Sequence, residues 1–357
     1  MRTTPFLSLI FLVVFGFLIG SCETKVDLID TTKEKAVVFG FLDPTVDTQF
    51  VKITKTFVTE GSAVEAAQDP EISEYKNLEA YVVSYDGKDT IDTYLLQEKT
   101  VTDKDSGAFY YPVQTVYYFT EPLNDDYEYE ISFTGSGNDV SSKVPVVGDF
   151  IPNITINDPT VKLVLQFSTS GSTKYIPKII KDLISSKNVR SYEFTFRYHY
   201  KEVYTDGTEK EKFMDFKFPT WQTETLQGGE EHTYKIEGEA FFQFVANKII
   251  AENNEDNVVR REIGTMDYIF EYAGDDLNTF MELSQPSTSI NIEQNPFSNL
   301  NNAVGVWSSR GSSSFEDKIF ELELSNSYKE MAIGQYTTGL KFCSTSPSHN
   351  GTAWGCN

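Results

Sequence analysis

From residue 36 onward, turn signals cut the chain into short runs of β-branched and aromatic residues, and this punctuation limits the fold more than any other feature. AVVFGFL (36–42) is a continuous apolar run that stops at Asp43-Pro44. QFVKITKTF (49–57) alternates, with Phe50 or Val51, Ile53 and Phe57 separated by Lys52, Thr54 and Lys55. LEAYVVSY (78–85) meets Asp86-Gly87, a pair that accepts the positive φ of a two-residue hairpin turn, and DTIDTYLLQ (89–97) is the return strand. AFYYPVQTVYYF (108–119) is aromatic and contains Pro112, which confines it to an edge or a bulge. YEYEISF (127–133) alternates, and Gly135 and Gly137 turn the chain into a last strand near 140–147. A strand sends successive side chains to opposite faces, so each alternating run offers one apolar face to a core. Seven or eight such runs without a long helix predict an antiparallel, immunoglobulin-like β-sandwich over 36–148. Residues 62–76 break the pattern and read as a short helix or an irregular crossing loop.

Val147-Gly148-Asp149 and Ile151-Pro152-Asn153 mark a boundary, and 149–342 reads as a second, β-rich α+β domain with one or two packed helices. VKLVLQF (161–167), YEFTFRYHYKEVY (192–204), KFMDFKF (212–218), REIGTMDYIFEYA (261–273), VGVWSSR (304–310) and FEDKIFELEL (315–324) are its expected strands. GEAFFQFVANKIIAEN (238–253) is the expected helix, because Phe241, Phe242, Val245, Ile249 and Ile250 form one apolar stripe. A second short helix, DLNTFMELS, is capped by Asp275 or Asp276. Residues 175–184 carry helical apolar spacing, but Pro177 and their β-branching argue against a helix, so both readings stay open.

The start of the chain reads as an address. Met1-Arg2 precedes a nearly unbroken apolar run from Pro5 to Gly20, then Ser21 and Cys22. The run is shorter than the roughly 20 residues of a membrane-spanning helix. An ordinary secretory signal would share the charged start and apolar core, but it needs no cysteine at the first mature position. The pattern resembles a bacterial lipoprotein signal with its lipobox. That resemblance implies removal of 1–21, lipidation of Cys22 and a membrane anchor made of several acyl chains, each buried methylene contributing about 0.8 kcal/mol. Residues 22–35 are a polar tether, and Glu23, Lys25 and Asp27 resemble the charged stretch that sends Bacteroidetes lipoproteins to the cell surface. The 53 acidic and 30 basic side chains, net −23, repel phosphate backbones and exclude nucleic acid as a partner. With Cys22 lipidated, Cys343 and Cys356 are left in a tail (343–357), where an oxidising compartment favours a disulfide; a thiol pair and a zinc site with His349 are the alternatives.

Chemistry is harder to find. His199, His232 and His349 lie far apart in sequence, and no nucleophile elbow, HExxH, phosphate loop or dinucleotide fingerprint is present. No catalytic residue, metal ligand or cofactor is therefore assigned, apart from a structural Ca²⁺ considered for the oxygen-rich loops 253–257, Asn124-Asp125-Asp126 and Asp275-Asp276. Two features suggest recognition. The aromatic run 109–119, with Tyr110 and Tyr117, should face partly outward. The Asn-rich run 294–302 leads to Trp307 and Arg310 and reads as a recognition loop.

Taken together, the lipobox cysteine, VVFGFLDP, QFVKITKTF, SYEFTFRYHYKE, EAFFQFVANKI and PFSNLNNAVGVWSSR resemble an uncharacterised family of Bacteroidetes outer-membrane lipoproteins, the domain-of-unknown-function type DUF4249. The resemblance implies a surface-facing, lipid-anchored and non-catalytic accessory subunit of an outer-membrane β-barrel complex in transport or assembly. Capture of a glycan, peptide or nutrient is the alternative function, and a carboxylate-dependent hydrolase a more distant one.

Overall fold

A computed structural model describes residues 34–59, 61–107, 109–152, 175–252, 257–284, 297–315 and 324–356. Cys22, the expected strand 161–167 and most of loop 253–257 lie outside the described residues. The fold is mainly β. Its first part is built from β1 (Ala36–Leu42), β2 (Thr48–Lys55), the short helices α1 (Ala63–Ala66) and α2 (Pro70–Ser73), β3 (Ala80–Asp86), β4 (Asp89–Leu95), β5 (Gln97–Val101), β6 (Gln114–Thr120), β7 (Glu128–Gly135) and β8 (Asn138–Pro145). The strands form two layers in the orders β1-β2-β6-β5 and β4-β3-β7-β8. That order is the Greek key of an immunoglobulin-like sandwich. Val38, Leu42, Val51, Ile53 and Phe119 from one layer meet Val82, Tyr129, Ile131 and Val140 from the other. The Tyr129 hydroxyl accepts the Asn124 N–H at 2.9 Å, tying the preceding turn to the start of β7 in the manner of a tyrosine corner.

Two stretches depart from the sequence reading. Residues 89–97 do not form one strand. Leu96 is buried and donates its N–H to the Ala80 carbonyl at 2.8 Å, and there the chain passes from the β4 layer to the β5 layer. The solvent-exposed sequence QEKTV lacks the alternation that would have revealed β5. The aromatic run also enters its strand late, at Gln114, so Phe109, Tyr110 and Tyr111 lie in a loop.

The second part contains β9 (Lys178–Ile184), β10 (Ser191–Tyr204), β11 (Glu209–Lys217), β12 (Trp221–Gln222), β13 (Glu231–Ile236), α3 (Gly238–Glu252), β14 (Val258–Ala273), α4 (Asp275–Ser284), β15 (Ala303–Phe315), α5 (Leu324–Ile333) and β16 (Phe342–Cys343). Residues 178–184 are a strand paired with β13, which settles the ambiguity at 175–184 in favour of β-branching. Helix α3 forms where its apolar stripe predicts, except that Ile250 of that stripe faces solvent. Phe241, Phe242, Val245 and Ile249 pack against Phe194, Phe196, Tyr198 and Tyr268 of β10 and β14. Of the strand expected over 315–324, Phe315 ends β15 and Leu324 begins α5, and residues 316–323 lie outside the described residues.

One strand belongs to both parts. Ala303–Ser309 of β15 run parallel beside Ala36–Leu42 of β1. Arg310–Phe315 run antiparallel beside Ala273–Tyr268 of β14. A ten-stranded sheet thus crosses the boundary expected near 148. Two cores flank it, with Val146 in the first and Val147 in the second, yet Leu300, Ala303 and Trp307 pack into the first core from far along the chain.

Trp307 is fully buried, which corrects its reading as a surface residue. Its ring lies over Gly40, where an added Cβ would approach ring carbons to 2.5 Å. Its indole Nε1 donates to the Tyr129 carbonyl of the opposite layer at 2.9 Å. Asn299 fixes its backbone twice, accepting from the Trp307 N–H at 3.1 Å and donating to its carbonyl at 2.6 Å. The described part of the Asn-rich run is thus a clamp on a core strand.

The second core closes on a fully buried ion pair. Arg261 Nε donates to Glu202 at 3.0 Å and its guanidinium also donates to the Leu340 carbonyl at 2.7 Å, while Tyr204 donates to Glu202 at 2.6 Å. Beside it, β16 pairs with Arg261 and Glu262, and Cys343 is joined to Cys356 by a disulfide. Replacing Trp307 with Ala removes a large core side chain and its interlayer hydrogen bond. Urea unfolding should show a loss of about 3–5 kcal/mol, and a loss below about 1 kcal/mol would contradict the packing described.

Candidate functional site

The sandwich has one unusual surface. Inward and outward positions alternate along β1 and β2, so Val38, Val51 and Ile53 enter the core while Phe39 and Phe50 point away from it. Phe39 is 38% exposed and Phe50 45% exposed, large values for side chains of their size. Register places Phe50 directly opposite Tyr118 on β6, and Tyr118 opposite Gln97 on β5. Phe41 lies beside Ser308 of β15. The outer face of this layer therefore carries an aromatic stripe of Phe39, Phe41, Phe50 and Tyr118. Phe50 and Tyr118 have ring centroids 6.0 Å apart. Helix α4 forms one wall, with Phe280 edge-on to Phe39 at 5.8 Å and the Leu277 N–H donating to Ser308 Oγ at 3.0 Å.

The stripe floors a groove of about 660 Å³ lined by Phe39, Phe41, Val46, Phe50 and Val116. A smaller groove of about 290 Å³ adjoins it, lined by Glu193, Glu271, Leu277 and Met281. Asp43 and Arg310 line both. The rim at 43–47 is held by Gln49. Its amide accepts the Asp43 N–H at 2.8 Å and donates to the Asp43 and Val46 carbonyls at 2.9 and 2.7 Å. Gln49 is itself buried, so this turn is fixed from beneath.

Cations sit on the aromatic floor. Lys99 Nζ lies 5.2 Å from the Phe50 ring centroid, and the Arg310 guanidinium lies 5.6 Å from that of Phe41. Such contacts contribute about 0.5–1 kcal/mol at exposed sites. Lys52 belongs to a different set. It donates to Glu74 at 3.0 Å and to the Thr115 carbonyl at 2.6 Å, and Thr115 donates to Glu74 from both N–H and hydroxyl. Burial pushes the Glu74 carboxyl up, but the Thr115 and Lys52 donors outweigh it and leave Glu74 below its usual range. Asp276, at the start of α4, is raised by burial.

The residues singled out from sequence scatter. Arg310 lines the groove. Tyr117 faces inward, is buried and directs its hydroxyl to Glu98 at 3.4 Å; its neighbour Tyr118 is the outward ring. Tyr110 is half-buried in a loop, its N–H donating to the Ala67 carbonyl at 3.0 Å and its carbonyl accepting Lys104 Nζ at 2.7 Å. The signal for Phe39 and Phe50 was available: once Val51 and Ile53 are assigned to the core, the alternation forces Phe50 outward.

The histidines stay apart. His199 Nε2 meets Asp267 Oδ2 at 2.6 Å on the outer face of β10, beside the bidentate Arg197–Asp215 pair. His232 stacks on Trp221 at 4.6 Å and is lowered by burial. His349 Nδ1 lies 2.9 Å from Ser344 Oγ, and burial of both removes them from any substrate. Glu193 and Glu271 are register partners on β10 and β14, and both are exposed, without the apolar enclosure that sets one carboxyl apart as an acid. Among the described residues, no group of three or more His, Cys, Asp or Glu side chains is arranged to hold a metal. No protein-family model and no curated protein matches this chain.

A carboxylate held low in the folded state adds stability above its unfolded value, and that stability disappears as pH falls through the folded value. Glu74 should therefore contribute at neutral pH and lose its contribution below about pH 4. Glu74→Gln should make the acid limb of the stability curve shallower in urea titrations between pH 3 and 6; an unchanged limb would show that Thr115 and Lys52 do not hold the carboxylate.

Proposed function

We propose that the chain is a lipid-anchored outer-membrane protein whose sandwich docks, by its aromatic outer face, onto a β-barrel partner in a transport or assembly complex. The observation that carries this reading is the row of exposed phenylalanines on a rigid sheet. Isolated apolar residues on a surface need no explanation, but a contiguous patch beside a groove marks an interaction surface. Phenyl rings bring large contact area at low entropic cost, and rigid strands present them without an ordering penalty. The envelope address rests on the Ser21-Cys22 pattern. A body with net charge −23 has no electrostatic attraction to an anionic membrane surface, so attachment falls to the lipid. On this reading the groove faces a protein and performs no chemistry.

Glycan capture is a second reading, favoured by a separate feature. A cleft of about 710 Å³ on the other layer is lined by Tyr75, Tyr81, Ser132, Thr134, Ser136 and Ser141, a hydroxyl-rich surface suited to sugar hydroxyls.

Two measurements test the main reading. Cys22→Ala should move the protein from the membrane to the soluble fraction, and retention in the membrane would remove the lipid anchor. A photo-crosslinking residue at position 50 should yield an adduct with a membrane barrel in intact cells, whereas one at exposed Ile91 should not. Equal adducts at both positions, or none at 50, would overturn docking through the aromatic face.

A further inference from the structure

Arg310 occupies a singular place. Arg190, Arg197, Arg260 and Arg261 each pair with a carboxylate. Among the described residues, no carboxylate lies within ion-pair distance of Arg310. Its guanidinium sits over the face of Phe41. In a chain with 53 acidic side chains, a solvent-exposed arginine without one is a departure from the average. With no carboxylate on it, the guanidinium keeps N–H donors for a ligand, and its planar fork matches a carboxylate in bidentate geometry.

We infer that Arg310 sets the specificity of the groove and that the segment docking there is an apolar stretch of protein bearing one carboxylate. This rests on the protein-docking reading above and names the chemistry of the partner. The charge on the floor favours it. Lys99 and Arg310 both rest on aromatic rings, while Lys52 is neutralised by Glu74. A cationic segment would be repelled by the first two, and a neutral one would leave the Arg310 donors to water. The surroundings also limit the negative charge that fits. Asp43 and Asp47 line the same groove, and Glu193 and Glu271 line the adjoining one, so a polyanion would be rejected. A single side-chain carboxylate or chain terminus reaches the guanidinium, and its apolar neighbours lie on Phe41 and Phe50.

The test uses the detergent-solubilised full chain and an array of short apolar peptides, each bearing one Glu and matched to the same peptide with Gln. The Glu members should bind at least about tenfold tighter, equivalent to about 1.4 kcal/mol. Arg310→Ala should abolish that difference, and Arg310→Lys should keep only part of it because an ammonium cannot bind in the bidentate fork. Phe50→Ala should weaken both peptide sets alike. Arg310 is exposed, so an unchanged urea midpoint confirms that its variants fold. If Glu and Gln peptides bind wild type equally while Phe50→Ala weakens both, the carboxylate inference is overturned and docking survives. If no peptide responds to Phe50→Ala, both fall together.

Discussion

The structure depends on the double pairing of one strand. Residues 303–309 extend the sandwich layer beside β1, and residues 310–315 extend the second sheet beside β14. Sheet hydrogen bonds satisfy the backbone of both edges, so neither core is left with an open strand at the junction. Trp307 makes the joint rigid. It fills the sandwich from a position late in the chain, lies on Gly40 because glycine leaves room for the ring, and reaches across the layers to Tyr129. An immunoglobulin-like sandwich commonly centres on a tryptophan from its own third strand. Here the ring is delivered from outside the sandwich segment, and the first part of the fold is incomplete without the last third of the chain.

The groove is a geometric consequence of that joint. The parallel ladder with β1 ends at Leu42 and Ser309, and the ladder with β14 begins at Arg310 and Ala273. The partners of β15 change between residues 309 and 310, so Arg310 is the first side chain past the change and lines both grooves. Helix α4 packs along β15, with its Leu277 N–H on Ser308 and Phe280 against one side of Phe39, and leaves Phe39 and Phe50 more than a third exposed. A second closure lies near the start of β14, where the Glu202–Arg261 pair is sealed by the 340–343 segment that the Cys343–Cys356 bond retains. Such a pair is a poor source of stability because desolvating two ions cancels much of their attraction. Removing one partner would leave a charge in the interior.

Much of this architecture was legible. The two layers of the sandwich, the Asp86-Gly87 hairpin, helix α3 and the turn chemistry all follow from alternation, β-branching and the special backbone demands of glycine and proline. The site was less legible. Tyr117 and Trp307 look like recognition residues because aromatic side chains serve cores and interfaces equally well, and composition does not say which. Register separates them: a shift of one residue along β6 makes Tyr118 the outward ring and Tyr117 the inward one. The β4–β5 crossing escaped because exposed polar residues carry no periodic signal.

By itself the sequence determined local structure: where strands begin and turn, which helix has an apolar stripe, and the strong negative charge of the whole. Those properties depend on neighbours a few residues apart. Which strands lie side by side was decided only in three dimensions, above all the parallel meeting of residues 36–42 with 303–309, because pairing between segments so distant depends on the collective packing of both cores. That meeting buried Trp307, left the outer phenylalanines open, and placed Arg310 at the end of an aromatic floor.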